Sequence, residues 1–279
     1  MSEVPGAPSL EELLAVAERA ARAAGRLVRD ERPADLSVSA TKTSPVDVVT
    51  AMDTAAEALL LSTLLEARPG DGMLGEEGGL RAGTSGLTWV VDPIDGTVNY
   101  LYGIPAYAVS VALVEGQPSP GSWRVLVGCV HNPVTQETWT ATLGGGARLD
   151  GTLVPGPAEV PLDRALVGTG FGYTAPRRRS QARVLASLLP QVRDIRRIGS
   201  AALDLCALAS GRLDGYFERG LQPWDHAAGA LVASESGARV TGPGGTAPSA
   251  ELVIAARPVL HARLVEELAS LAAARDDEE

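Results

Sequence analysis

The chain has 279 residues, 45% of them hydrophobic, enough to bury a sizeable core as one large domain or two smaller ones. A formal net charge of −10 and a pI near 4.9 argue against a general nucleic-acid binder, because phosphate backbones demand a basic footprint. Cys129 and Cys206 lie far apart with no C-x-x-C spacing, so neither a disulfide framework nor a zinc site is expected. The N-terminus lacks a continuous apolar stretch of the signal-peptide kind, and no run approaches the ~20 apolar residues of a membrane span. A soluble cytoplasmic protein is the expectation.

Ser9 followed by Glu12 has the pattern of a capping box. Leu10, Leu13, Leu14, Ala17, Ala21, Ala24 and Val28 then recur at helical spacing, predicting an amphipathic helix that ends near Arg32-Pro33. A second helix is predicted over 53–67, stopped by Pro69-Gly70. Short strands are predicted at 72–74, 88–91, 106–114, 123–131 and 137–142, with Asn132-Pro133-Val134-Thr135 as a hairpin turn and Gly144-Gly145-Gly146 as the next break. Helices followed by a strand meander predict an α+β half, residues 1–150, built on an antiparallel sheet. The Pro- and Gly-rich stretch 151–161 marks the expected domain boundary. Residues 151–279 then alternate strand and helix: 165–168, 180–189, 192–198, 201–209, 215–218, 225–236, 238–241, 252–255 and 258–273. That alternation predicts a C-terminal α/β domain. The acidic run 276–279 reads as a frayed end.

The strongest chemical signal is Asp92-Pro93-Ile94-Asp95-Gly96-Thr97, directly after the apolar run Trp89-Val90-Val91. Two acids three residues apart at a strand end make a good Mg²⁺ site, because hard divalent cations take oxygen ligands. Pro93 stiffens the turn without an N–H, Gly96 lets a ligand approach the main chain, and Thr97 adds a hydroxyl. Gly75-Glu76-Glu77-Gly78-Gly79 supplies carboxylates upstream, and Trp224-Asp225 supplies another downstream where a helix begins. Phosphate needs donors as well as metal. Gly96-Thr97, Gly199-Ser200-Ala201 and Asp225 all have the look of helix N-termini, which offer unpaired N–H groups to an anion. Ser200 also has the composition of an N-cap.

These strings resemble the inositol monophosphatases, a family of Mg²⁺-dependent, lithium-inhibited phosphatases. The match is carried by GEE at Glu76, WVVDPIDGTVNY from Trp89 to Tyr100, WDHAAGALVASESGARV from Trp224 to Val240, and TKTSPVDVVTAMD from Thr41 to Asp53. The details IDGTVNYLYGIP, GTGFGY and RIGSAALDLCALASGRLDGYFE look most like the bacterial inositol-1-monophosphatase branch. The resemblance implies the sugar-phosphatase fold of stacked, alternating helix and sheet layers, with the site between the two halves. It implies one Mg²⁺ held by Glu76, Asp92 and the carbonyl of Ile94, and a second held by Asp92, Asp95 and Asp225. A third, weaker Mg²⁺ near Asp47 and Glu76 is implied by analogy. Thr97 with Asp47, together with Glu76, would orient and deprotonate a metal-activated water. Glu218 matches the family's inositol-binding acid, with Gly96, Thr97, Gly199, Ser200, Ala201 and Asp225 around the substrate. The implied partner is a small phosphorylated polyol, and the implied assembly is a homodimer.

Relatives acting on histidinol phosphate, fructose 1,6-bisphosphate or phosphoadenosine phosphate look alike at the metal residues, but Val98-Asn99-Tyr100 after IDGT is inositol-like. A reading of another class is a regulatory protein that binds the transcription or RNA-processing machinery. Gly168, Gly170 and Gly172 lack the spacing of a dinucleotide loop, and the three histidines show no ligand spacing. Arg177-Arg178-Arg179 and Arg193, Arg196 and Arg197 read as solvated faces or interface ion pairs.

Overall fold

The computed structural model describes residues 8–33, 40–41, 48–49 and 51–276, and Asp47 lies outside them. In chain order the elements are α1 (Leu10–Asp30), β1 (Ala40–Thr41), β2 (Val48–Val49), α2 (Ala51–Ala67), β3 (Gly72–Gly75), β4 (Gly79–Arg81) and β5 (Leu87–Asp95). There follow α3 (Thr97–Tyr102), β6 (Ala108–Gly116), β7 (Trp123–His131), β8 (Thr138–Thr142), β9 (Gly146–Leu149), β10 (Thr152–Leu153) and β11 (Leu166–Thr169). The rest is α4 (Ala175–Leu188), β12 (Asp194–Arg196), α5 (Ala201–Ala209), β13 (Gly215–Glu218), α6 (Pro223–Glu235), β14 (Arg239–Thr241), β15 (Val253–Ala256) and α7 (Pro258–Ser270). Ser9 caps α1 through the reciprocal box with Glu12.

Two sheets carry the architecture. One has eight strands in the order β10-β9-β8-β7-β6-β5-β3-β4, and the other has five in the order β12-β11-β13-β15-β14. The large sheet is antiparallel except where β3 lies parallel to β5. The small sheet is mixed: β11 is parallel to β12 and β13, while β15 is antiparallel to β13 and β14.

Period-two alternation along the strands explains the layering, because successive side chains point to opposite faces. In β5, Trp89 and Val91 face α1 and α2, packing on Ala17, Ala21, Leu60 and Leu64. Val90 faces the other way, into a cluster with Ala202 and Cys206 of α5 and Ala228 and Val232 of α6. In the small sheet, Tyr216, Val253 and Ala255 pack on Leu205 and Leu208 of α5, while Phe217, Ile254 and Ala256 pack on Leu188 of α4 and Leu260 and Leu264 of α7. The result is five layers, helix–sheet–helix–sheet–helix, with α5 and α6 as a buried middle layer that both sheets share. Both faces of each sheet are therefore apolar, as covered sheets require. The two cysteines are free and buried.

Several elements differ from the sequence expectation, among them the unpredicted short strands β1, β2, β9 and β10. The edge strand β4 is short and exposed, so it carries no apolar alternation, and α3 is too short for a helical period to show. Helix α4 starts at Ala175 rather than near residue 180, with Pro176 in its first turn. The arginine triplet lies in that first turn, where apolar residues are missing and periodicity gives no signal.

Candidate active site

The cavity sits where the C-terminal end of β5 meets the N-termini of α3, α5 and α6. It measures about 440 Å³ and is lined by Glu76, Asp92, Ile94, Asp95, Gly96, Thr97, Gly199, Ala201, Glu218 and Asp225, among others. In a regular strand, residues three apart point to opposite faces. Here β5 slips register against β6 between Asp92, opposite Ser110, and Asp95, opposite Ala108. Three steps on one strand match two on the other, a bulge that swings both carboxylates to one side. Each is then anchored. Asp92 Oδ1 accepts the Ile94 N–H at 2.9 Å, and Asp95 Oδ2 accepts the Ser200 hydroxyl at 2.6 Å and the Ala202 N–H at 2.7 Å.

Helix α6 delivers Asp225 in its first turn, where Asp225 Oδ2 accepts the Gln222 N–H at 2.7 Å in a capping box. The turn between β3 and β4 delivers Glu76. Behind that turn the carboxylate of Glu57 in α2 accepts the N–H groups of Glu77 at 2.8 Å and Gly78 at 2.6 Å. Gly96, at φ 100°, turns the chain from β5 into α3 in a backbone region that disfavours other residues, and a β-carbon there would meet Ala106 O at 3.0 Å and Gly199 O at 3.1 Å. Asn99 ties the halves together by donating to Ala106 O at 2.7 Å and Ile198 O at 2.9 Å.

The electrostatics are those of a cation site. Asp92, Asp95 and Asp225 each offer a carboxylate oxygen, and the three lie within 4.8 Å of one another. Burial, and then the neighbouring charges of Glu76, Asp95, Asp225 and Asp53, push Asp92 well above the usual carboxylate range. Burial and the charges of Asp95 and Glu76 do the same to Asp225. Burial lifts Asp95 to about 6, against the hydrogen bonds from Ser200 and the start of α5 and the charge of Arg197. Clustered acids that repel one another, with one oxygen of each already fixed by a protein donor, fit a hard divalent cation with oxygen ligands. Phosphate has its own welcome, since three helix N-termini border the cavity through Gly96 and Thr97, Gly199 and Ala201, and Gln222 and Asp225.

Known proteins share this fold. The family model described as "Inositol monophosphatase family" matches residues 9–273. The chain belongs to the inositol monophosphatase family. The inositol-1-monophosphatase of Mycobacterium leprae is 47% identical over 270 residues, covering 89% of this chain and 90% of the relative. The solved structure of Mycobacterium tuberculosis SuhB superposes with a TM-score of 0.79 at 41% identity, covering 96% of this chain and all of that one. The Nus factor SuhB of Vibrio cholerae is 39% identical over 235 residues, 83% of this chain and 85% of the relative. Fold and phosphatase activity of the inositol monophosphatase family follow.

Within that fold the sequence-predicted residues are distributed as follows. Glu76, Asp92, Ile94, Asp95, Gly96, Thr97, Gly199, Ala201, Glu218 and Asp225 all border one cavity. Ser200 is buried, absent from the cavity lining, and occupied: it caps α5 by accepting the Leu203 N–H and donates to Asp95. The first N–H groups of α5 likewise serve the Asp95 carboxylate. Thr97 Oγ1 lies 3.2 Å from Asp53 Oδ1 and 3.1 Å from the Ile94 carbonyl. Asp53, buried at the start of α2, is thus the acid found beside Thr97, six residues beyond Asp47. Sequence reasoning passed over Glu57 and read Arg197, which lines the cavity, as part of a solvated or interface cluster. Asp53 stands inside the Thr41–Asp53 match, so the signal for it was present. Glu57 had none, being one of three acids on a mostly apolar helix.

Proposed function

We propose that the chain hydrolyses a myo-inositol monophosphate, with Mg²⁺ as the metal and inositol and phosphate as products. The observation that carries this reading is the joint placement of the Asp92–Asp95–Asp225 cluster, the Thr97–Asp53 pair and Glu218 around one cavity. Glu76, Asp92 and the Ile94 carbonyl would hold one Mg²⁺, Asp92, Asp95 and Asp225 would hold a second, and Glu76 would also serve a third. When bound, the ions supply positive charge that stabilises both the attacking and leaving oxygens of an in-line displacement.

The protein's own groups do the rest. Thr97 orients the attacking water through its hydroxyl, and Asp53 holds that hydroxyl and draws the proton, the role that the family resemblance implied for Asp47, which lies outside the described residues. The N–H groups around Gly96 and Gly199 and the dipole of α5 hold the phosphate, the Ala201 N–H itself being engaged by Asp95. Glu218 accepts hydrogen bonds from ring hydroxyls. Tyr216 fixes its position by donating to Glu218 Oε2 at 2.8 Å, and burial raises the Glu218 carboxyl to about 7. The partner is therefore a small phosphorylated polyol. We place the protein in the cytoplasm as a homodimer that lithium inhibits; no helix among the described residues is long and apolar enough to cross a membrane.

The test is a panel of inositol 1-phosphate, histidinol phosphate, fructose 1,6-bisphosphate and an adenosine bisphosphate, assayed with Mg²⁺ and with excess EDTA. Inositol 1-phosphate should have the highest kcat/KM, and EDTA should abolish turnover. Clear preference for another ester overturns the substrate; full turnover in EDTA overturns the metal. The Vibrio relative's name supports a second reading, in which the chain also binds the transcription machinery. Salt-sensitive binding to RNA polymerase or RNA is its measurement, and absence of binding at low salt rejects it.

A further inference from the structure

Asp276 meets two arginines that line the cavity, Arg177 at the start of α4 and Arg219. Arg177 is not a solvated helix arginine. Gly172 and Gly220 flank it so tightly that a β-carbon on the first would lie 2.4 Å from Arg177 Cδ, and on the second 2.6 Å from Nη1. The two glycines thus leave a slot through which the guanidinium reaches the cavity that Asp92, Glu218 and Asp225 also line. Arg219, next to Glu218, lines the same cavity with a side chain only 12% exposed. The Nε atoms of both arginines are buried without a hydrogen-bond partner.

Asp276 faces the pair. Its Oδ1 and Oδ2 accept from Arg219 Nη1 at 2.5 Å and Nη2 at 3.3 Å, a forked pairing that a phosphate can make equally well. Asp276 Oδ1 stands 3.9 Å from Arg177 Nε, close enough for attraction and too far for a hydrogen bond. Two guanidinium groups against one carboxylate leave net positive charge and an unused buried donor. This is more cationic capacity than a structural ion pair needs.

We propose that Arg177 and Arg219 form an anion subsite beside the polyol position, and that Asp276 fills it as an internal carboxylate. A second phosphate on a substrate must displace Asp276 to enter, so the enzyme is biased toward monophosphates. The inference rests on the phosphatase reading for the position of the ring. It explains why arginines line a cavity whose floor is acidic, and why Asp276 is held against them.

The experiment compares the full chain with Asp276→Asn, and with Asp276→Asn combined with Arg219→Gln, using inositol 1-phosphate and fructose 1,6-bisphosphate as probes. In Asp276→Asn the kcat/KM for the bisphosphate, relative to the monophosphate, should rise about fivefold, the scale of a partly exposed ion pair that no longer competes. Calorimetric binding of fructose 1,6-bisphosphate to the metal-free protein should tighten by a similar factor. The double variant should lose both gains. An unchanged ratio with unchanged affinity, or no measurable bisphosphate binding in Asp276→Asn, overturns the subsite and leaves Asp276 a structural contact. If no form turns over any phosphate ester while bisphosphate affinity still responds to Asp276, the phosphatase reading fails and the subsite stands.

Discussion

On the side of the cavity formed by β5, the β3–β4 turn and α6, acids stand together: Asp92, Asp95, Asp225 and Glu76. On the side formed by β13 and the approach to α4, a single acid, Glu218, stands among Arg177, Arg197 and Arg219. The first wall is rigid in a specific way, since each aspartate has an oxygen tied to a main-chain donor or to Ser200. Its repulsion is the driving force for taking up cations. The second wall carries more guanidinium than carboxylate charge, and its groups remain able to choose among ligands. One wall therefore sets whether the reaction runs, and the other sets on what.

The sharpest way to break this comparison is to remove the shared acid. Asp92→Asn should lower kcat/KM by about 10³-fold or more, beyond the 10–100-fold typical of losing a group that only supports a ligand. Because burial and like charge raise Asp92, the metal-free variant should melt no lower than the parent, and Mg²⁺ should no longer raise its Tm. Near-normal turnover in Asp92→Asn would mean that the acid wall is scaffolding.

A smaller effect is expected where the acid wall meets the water. Thr97→Val and Asp53→Asn should each reduce kcat by about 10²-fold with little change in KM, as for loss of general-base help. The double variant should be no worse than either single one if the two act as a unit. A change confined to KM would move the pair to substrate binding.

Glu57 supports the Glu76 turn without lining the cavity. Glu57→Ala should raise the Mg²⁺ concentration for half-maximal activity by about tenfold or somewhat more, while kcat at saturating Mg²⁺ recovers. Failure of added Mg²⁺ to restore turnover would show that Glu57 shapes more than a metal ligand.

The smallest effect belongs to the other wall. Glu218→Gln should narrow the preference for inositol 1-phosphate over a generic phosphate ester by about fivefold to tenfold, the scale of a lost charged hydrogen bond. The parent's KM for inositol 1-phosphate should fall as pH rises through about 7, when Glu218 ionises and becomes a full acceptor, and the variant should lack this step. Stability moves the opposite way. A carboxyl raised from 4.5 to about 7 contributes most below 4.5 and loses that contribution as pH climbs through 7, so Glu218→Gln should flatten the melting profile over that range. A profile identical to the parent's would remove Glu218 from the titration.

Much of this molecule is written locally. The capping box at Ser9, the apolar run of β5, and the turn chemistry of Asp92 to Thr97 depend on neighbours within a few residues, so they are legible in the order of the amino acids. The same holds for Asp225, which announces itself as a helix-start acid after Pro223 and Trp224. What tertiary structure decided was which distant groups meet. The segment Thr41–Asp53 holds Asp47 and Asp53, and nothing local ranks one above the other; Asp47 lies outside the described residues, and the contact with Thr97 brings in Asp53. The bulge that turns Asp92 and Asp95 to one side is a property of the pairing with β6, not of β5 alone. By its neighbours in the chain Arg177 is one of three solvated arginines, and Asp276 is a frayed end. Each acquires its place from a partner far away in sequence, because charge recognition acts through space while periodicity acts along the chain.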